Sequence, residues 1–127
     1  EIFSQGHSRS GCVFIAGGTG VTPFLSLFAH PDFAGYDKPV LYLGIRAPQF
    51  HFYGPELDKA ARLNPGFAAH VVRQDTDGVL DIAAMHAAHG SSATYFVSGP
   101  PAMIRLFKEY LLARGVAADR VRTDDWE

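Results

Sequence analysis

The sequence has few of the features that mark specialised classes of protein. Its 127 residues include a single cysteine, Cys12, which excludes an internal disulfide and an iron–sulfur cluster held by four cysteines of this chain. A single cysteine also favours a reducing compartment, and we expect a cytoplasmic location. Because no apolar run approaches the roughly 20 residues that a membrane-crossing helix needs, we expect no membrane span in this chain.

The sequence also lacks a large excess of charge of either sign. The 11 Lys and Arg residues and the 13 Asp and Glu residues give a net charge of −2, without any basic run. This balance argues against nucleic acid as a partner. Only His86 and His89 among the six histidines lie close together, and no carboxylate or cysteine completes a ligand set. We therefore expect a surface pair rather than a metal site.

The residues that are present alternate between short apolar runs and helical patterns. They predict strands at 12–16, 40–45, 67–72, 94–98 and 120–123, and helices at 23–29, 52–63, 80–88 and 101–114. Continuously apolar strands between helices indicate an α/β fold with a parallel sheet covered on both faces. We expect residues 12–127 to form one domain, excised from a longer protein, and residues 1–11 to be a linker remnant.

The segment between the first strand and the first helix is rich in glycine. Gly18 to Pro23 fits the pattern G-x-G-x-x-P, with proline where the dinucleotide fingerprint has its third glycine. Gly18 and Gly20 let the backbone approach a ligand closely, and Thr19 and Thr22 add hydroxyls at a helix N-terminus. Such a turn suits a diphosphate, although glycine-rich turns of this kind also occur for packing alone.

A second informative turn follows the fourth strand. It runs from Ser98 to Met103, and Gly99 gives close access to its backbone. Pro100 and Pro101 stiffen the start of the next helix. Stiffness is useful where a planar ring must be held for a reaction, because misplacement lowers the rate steeply.

The two turns together, AGGTGVTP at 16–23 and SGPPAMI at 98–104, resemble the pyridine-nucleotide domain of the ferredoxin–NADP⁺ reductase family. The resemblance implies a Rossmann-like three-layer sandwich whose five-stranded parallel sheet has the order 3-2-1-4-5. It implies contact with the NAD(P) pyrophosphate for Gly17, Gly18, Thr19, Gly20, Val21 and Thr22. It implies contact with the nicotinamide for Gly99, Pro100 and Pro101. Pro23 and Met103, which belong to the same two turns, are also expected to be cofactor-binding residues.

The resemblance also implies partners that this chain lacks. Members of the family bind FAD or FMN in a separate β-barrel of the same polypeptide, accept hydride from NAD(P)H and pass electrons to a metal centre or carrier protein. We therefore expect the nucleotide-binding half of a flavin oxidoreductase, inactive alone, with an unknown electron acceptor. The alternative is a non-catalytic nucleotide-binding domain that senses redox state or couples subunits.

Four single residues carry further expectations. Family members most often have cysteine at the position of Ser98, beside the nicotinamide, and we expect Ser98 to keep a catalytic role there. Gly44 and Arg46, at the end of the second strand, correspond to the adenosine-ribose site. Arg46 suits a 2′-phosphate or is a solvated arginine. No acidic residue stands at this strand end to select the free 2′-hydroxyl of NADH. The choice between NADH and NADPH therefore stays open, and we favour NADH. We expect Trp126 to lie beside the flavin or nicotinamide; the alternative is that it packs the last strand against the first helix.

Overall fold

The computed structural model describes residues 7–47, 49 and 53–125. These residues form five strands and five helices, with three short 3₁₀ turns between them. The strands are β1 Cys12–Gly17, β2 Val40–Ile45, β3 Ala68–Arg73, β4 Thr94–Gly99 and β5 Val121–Asp125. The helices are α1 Thr22–Ala29, α2 Gly54–Leu63, α3 Gln74–Asp77, α4 Ile82–His89 and α5 Pro101–Ala113.

The five strands form one parallel sheet in the order β3-β2-β1-β4-β5. This is the predicted order 3-2-1-4-5, which is therefore confirmed. The central strands β1 and β4 are buried almost throughout, because helices cover both faces of the sheet. That double burial explains why β1 is apolar throughout, and why Tyr95, Phe96 and Val97 of β4 are consecutive buried residues instead of alternating with exposed polar ones.

Two separate cores hold the three layers together. On one face, α1 and α2 pack on Phe14, which stacks on Phe96 with ring centroids 4.9 Å apart. On the other face, α4 and α5 pack on Ile15, and Leu111 of α5 is fully buried there. Burying each large side chain of this kind stabilises the fold by about 1.5–3 kcal/mol, so the sheet is held firmly from both sides.

Several boundaries differ from the predicted ones for local reasons. The helix predicted from residue 80 begins at Ile82, because the Asp81 carboxylate caps it by accepting hydrogen bonds from the amides of Ala83 and Ala84. The short helix α3 occupies Gln74–Asp77, between the predicted third strand and the predicted helix at 80–88. The last strand runs over Val121–Asp125, later than predicted. The predicted start of the second helix, Phe52, lies outside the described residues.

The described part of the predicted linker, residues 7–11, packs on the domain. The amide of Asp37 donates to the carbonyl of Arg9 at 2.9 Å. The ring of His7 lies edge-on to Phe96 and bonds the Tyr36 hydroxyl at 2.6 Å. That this segment is part of a linker to another domain stays a prediction.

Candidate functional site

An open cleft of about 900 Å³ lies at the carboxyl ends of the strands. In open parallel sheets this edge is where ligands bind, at the point where the strand order reverses. Here that point is between β1 and β4, whose chain neighbours β2 and β5 lie on opposite sides. The residues that line the cleft come mainly from the turns that follow β1, β2, β3 and β4.

The first glycine turn presents its backbone to this cleft. Gly18 to Val21 form a 3₁₀ turn that runs directly into α1, and no side chain of the described residues caps either helix start. Gly18 has a positive φ of 57°, and a Cβ built on it would meet no described atom within 4 Å, chain neighbours aside. The turn therefore combines backbone donors, the exposed side chains of Thr19 and Thr22, and room for a ligand.

The two turns that were singled out from the sequence touch each other. A Cβ built on Gly20 would lie 2.7 Å from the carbonyl carbon of Ser98 and 2.8 Å from Cα of Gly99. Only glycine permits this backbone-to-backbone contact. Val21, which is fully buried, and Pro23, which is half-buried, belong to the same turn but do not line the cleft.

The second turn forms the opposite wall. Gly99, Pro100, Pro101 and Met103 all line the cleft, and Pro101 is the first residue of α5. The Met103 side chain spans the gap between the turns: its Sδ lies 2.9 Å from a Cβ built on Gly17, and its Cε lies 2.8 Å from one built on Gly99. This wall is apolar and stiff, because two prolines restrict its backbone.

Ser98 lies beneath the cleft and does not line it. Its side chain is fully buried, and its hydroxyl has no hydrogen-bond partner among the described residues. The reason is the alternation of side chains along a strand: Ser98 comes two residues after Phe96 and points to the same face, toward α1. Its backbone, through the contact with Gly20, is what reaches the site. The catalytic role stays a prediction.

The end of β2 also reaches the cleft. Gly44 and Arg46 both line it, and Arg46 is exposed; that they hold the adenosine ribose stays a prediction. The lining residues that sequence reasoning missed include Val72, Gln74, Val79, Leu80 and Leu106. Val72 and Gln74 stand at the carboxyl end of β3, a position that could have suggested them. Val79 and Leu106 are 69% and 61% exposed, and no sequence pattern indicates that they flank a cleft. Trp126 lies outside the described residues.

The charged groups near the cleft stand at the ends of β2 and β3. The Arg73 guanidinium lies 3.2 Å from the Asp75 carboxylate, and the Asp77 carboxylate accepts from the Arg73 amide at 3.0 Å. The described groups with shifted pKa lie away from the cleft. Among them, burial raises the pKa of Cys12 to about 11 and, together with His70, lowers that of His89.

The two neighbouring histidines serve the packing of α4. His86 bonds the Ser91 hydroxyl at 2.9 Å, and His89 bonds the Tyr42 hydroxyl at 2.7 Å. Both are half-buried rather than on the surface as predicted, because α4 presses its C-terminal turn against the sheet. Within residues 7–47, 49 and 53–125, no group of three or more potential metal ligands occurs. Over the same residues, every helix is too short or too polar to cross a bilayer.

The parallel sheet, its helical layers and the glycine turn at the strand ends define a Rossmann-like nucleotide-binding domain. Residues 14–109 match the family described as "Oxidoreductase NAD-binding domain". The chain belongs to this family, among the reductases similar to ferredoxin–NADP⁺ reductase, and the resemblance drawn from the two turns is confirmed.

The chain is similar to one curated protein in sequence and to two solved structures in fold. The reductase component of propane 2-monooxygenase from Rhodococcus jostii (strain RHA1) is 29% identical over 127 residues, covering 88% of this chain and 34% of that protein. The fold is shared with the Amycolatopsis cytochrome P450 reductase (TM-score 0.73, 22% identity, 94% and 38% coverage). It is also shared with the ferredoxin reductase of carbazole 1,9a-dioxygenase (TM-score 0.71, 17% identity, 97% and 37% coverage). The chain thus spans 34% to 38% of the length of these relatives.

Proposed function

We propose that the cleft binds NAD(P)H and holds its nicotinamide for hydride transfer to FAD or FMN in a separate domain of the same polypeptide. Electrons would then pass to a metal centre or carrier protein. The observation that carries this proposal is the contact of the two turns: Gly20 lies against Ser98 and Gly99, so one continuous cradle runs from the uncapped helix start to the proline wall.

The residues of the cleft fit the parts of such a dinucleotide. The open side of Gly18, with the hydroxyls of Thr19 and Thr22, suits a pyrophosphate at the positive end of α1. The apolar wall of Pro100 and Met103 suits a planar ring. A volume of about 900 Å³ falls within the range of roughly 300–1,000 Å³ that is usual for cofactor sites.

The work of this chain in the reaction is positioning. Bound NAD(P)H supplies a hydride, which carries two electrons, and a flavin can release such electrons one at a time. Pro100 and Pro101 hold one face of the site rigid, and Met103 fills the space between the turns and keeps water out of it. No general acid or base is needed for hydride transfer, and the described groups with shifted pKa lie elsewhere.

The partners follow from the relatives by analogy. The names of the relatives describe reductases of a monooxygenase, a cytochrome P450 and a dioxygenase, and this chain covers about a third of each. We propose that the flavin site and the contact with the electron acceptor lie in other parts of the same protein. The chain alone is then expected to bind nucleotide without reducing an acceptor. A cytoplasmic location stays a prediction from the single cysteine.

Calorimetric titration of this chain with NADH and NADPH tests the binding part. Gly18→Asp places a carboxylate where the pyrophosphate would lie and should lower the affinity by about tenfold or more. Gly18→Asn is the matched control, because it has the same shape, tolerates the same positive φ and carries no charge. If neither nucleotide binds the wild-type chain, or if the Asp and Asn variants bind alike, the proposed site is wrong.

Two further variants test single roles in the longer parent protein. Ser98→Cys should alter the rate of flavin reduction or the nucleotide affinity; if both stay unchanged, Ser98 has no role at the nicotinamide. Arg46→Ala should weaken nucleotide binding at the ribose end. A parent that binds nucleotide but reduces no artificial acceptor would instead favour the non-catalytic sensor.

A further inference from the structure

The turn after β3 is hydrogen-bonded to the end of β2. There Gly44 and Arg46 line the part of the cleft that the resemblance assigns to the adenosine ribose, which we call the ribose end. The Asp75 amide donates to the carbonyl of Arg46 at 3.1 Å, and Gln74, the preceding residue, lines the cleft together with Arg46. The pairing of β2 with β3 sets this arrangement, since Ile45 is opposite Arg73 in the register. The sequence around the end of β2 has no acidic residue, but the fold brings the turn that carries Asp75 and Asp77 beside it from the end of the neighbouring strand.

Among the described residues, the charges of Arg46 and of the turn after β3 balance. Arg46 lines the cleft, and Arg73, Asp75 and Asp77 flank Gln74 in the adjoining turn. The Arg73 guanidinium is held by Asp75 through two contacts, Nε to Oδ1 at 3.3 Å and Nη2 to Oδ2 at 3.2 Å. The Asp77 carboxylate accepts from the Arg73 amide. A 2′-phosphate brings a charge of about −1.5 to −2, and these four side chains provide no net positive charge to receive it.

Gln74 is the neutral polar side chain at the same place. Its amide both donates and accepts hydrogen bonds, as does a ribose hydroxyl. It is exposed, lines the cleft and directly follows β3, where the carboxyl ends of parallel strands meet the ligand. A neutral amide in a charge-balanced surrounding suits a free 2′-hydroxyl better than a phosphate.

We infer that this chain selects NADH over NADPH, with Gln74 binding the adenosine ribose and with Asp75 and Asp77 cancelling the positive charge of Arg46 and Arg73 that would attract a 2′-phosphate. The inference rests on the proposed NAD(P)H site and adds the determinant of its specificity. It assigns the selection to the turn after β3 rather than to Arg46 alone. Both carboxylates act through charge, and Gln74 acts through direct contact.

The test measures the dissociation constants of NADH and NADPH for this chain by calorimetry. The wild-type chain should bind NADH more tightly. The double variant Asp75→Asn, Asp77→Asn keeps its hydrogen-bond acceptors and should bind NADPH roughly three- to tenfold more tightly, with little change for NADH. Gln74→Leu should weaken NADH binding by about fivefold or more, as expected for one lost hydrogen-bonding side chain.

Asp119→Asn is the control for a change in overall charge, because Asp119 precedes β5 at the opposite edge of the sheet. It should leave the ratio of the two dissociation constants unchanged. If the wild-type chain binds NADPH as tightly as NADH, or if the double variant shifts the ratio no more than Asp119→Asn does, the inferred specificity is wrong. If neither nucleotide binds, the proposed site itself is wrong, so the two failures are distinguishable.

Discussion

Replacing Gly20 with alanine should destabilise the fold more than its small size suggests. The new Cβ would lie 2.7 Å from the carbonyl carbon of Ser98 and 2.8 Å from Cα of Gly99. Both neighbours are backbone atoms of the central strand β4, so no side-chain rotation can relieve the overlap. Overpacking usually costs about 1–3 kcal/mol, and we expect a loss near 3 kcal/mol because β4 is fixed on both faces.

Gly44→Ala is the matched control for this variant. Its Cβ would approach Cγ of Leu80 at 2.9 Å, which is also a close contact, but the atoms that it meets belong to a flexible side chain. We expect a loss of about 1 kcal/mol or less for Gly44→Ala, since Leu80 can change rotamer. The comparison therefore separates a contact with rigid backbone from a contact with a mobile side chain.

Thermal unfolding followed by circular dichroism measures both variants. A loss of 1 kcal/mol lowers the midpoint by roughly 3–5 °C in a domain of this size, so Gly20→Ala should unfold about 10 °C below the wild type. It should also bind NADH more weakly, because the first turn must move away from β4. Equal midpoints for the Gly20 and Gly44 variants would refute the idea that the two turns meet through backbone.

Three further predictions concern other parts of the fold. Burial and His70 lower the pKa of His89 from 6.5, so that on acidification the unfolded chain takes up the proton at a higher pH than the folded chain does. The free energy of unfolding measured in urea should therefore fall below about pH 6.5, and it should fall less in His89→Gln. Burial raises the pKa of Cys12 to about 11, so its thiol should react slowly with a thiol reagent at about pH 8 until denaturant is added. Asn64→Ala should cost about 2–3 kcal/mol in urea unfolding, because the buried Asn64 amide donates to the carbonyls of Phe33 and Tyr36.

The parts of the fold that follow from local patterns could be predicted from the sequence. The apolar runs of β1 and β4 indicated the layers, and the turn residues after them, whose contact with a nucleotide stays a prediction, line the cleft at the strand ends. Their signal is strong because a parallel strand buried on both faces tolerates few polar residues. The strand order came from the resemblance and was confirmed by the structure.

The parts that depend on register and on long-range packing could not be predicted. The orientation of Ser98 depends on which face of β4 each residue takes, and a strand that is apolar on both faces does not reveal it. The turn that carries Asp75 and Asp77 lies beside the end of β2 only because of the β2–β3 pairing. Val79 and Leu106 flank the cleft because α4 and α5 pack side by side, which a single sequence does not indicate.

The Met103 side chain contacts Gly17 and Gly99 at once. The two turns consequently share one volume: a larger residue at Gly17 requires a smaller one at Met103, and the reverse. Gly17→Ala alone should displace the thioether from the wall of the cleft, whereas Gly17→Ala with Met103→Val has room for both side chains. Engineering a different nucleotide preference near the nicotinamide therefore requires simultaneous substitutions in the two turns, and scanning one position at a time would miss the combinations that work.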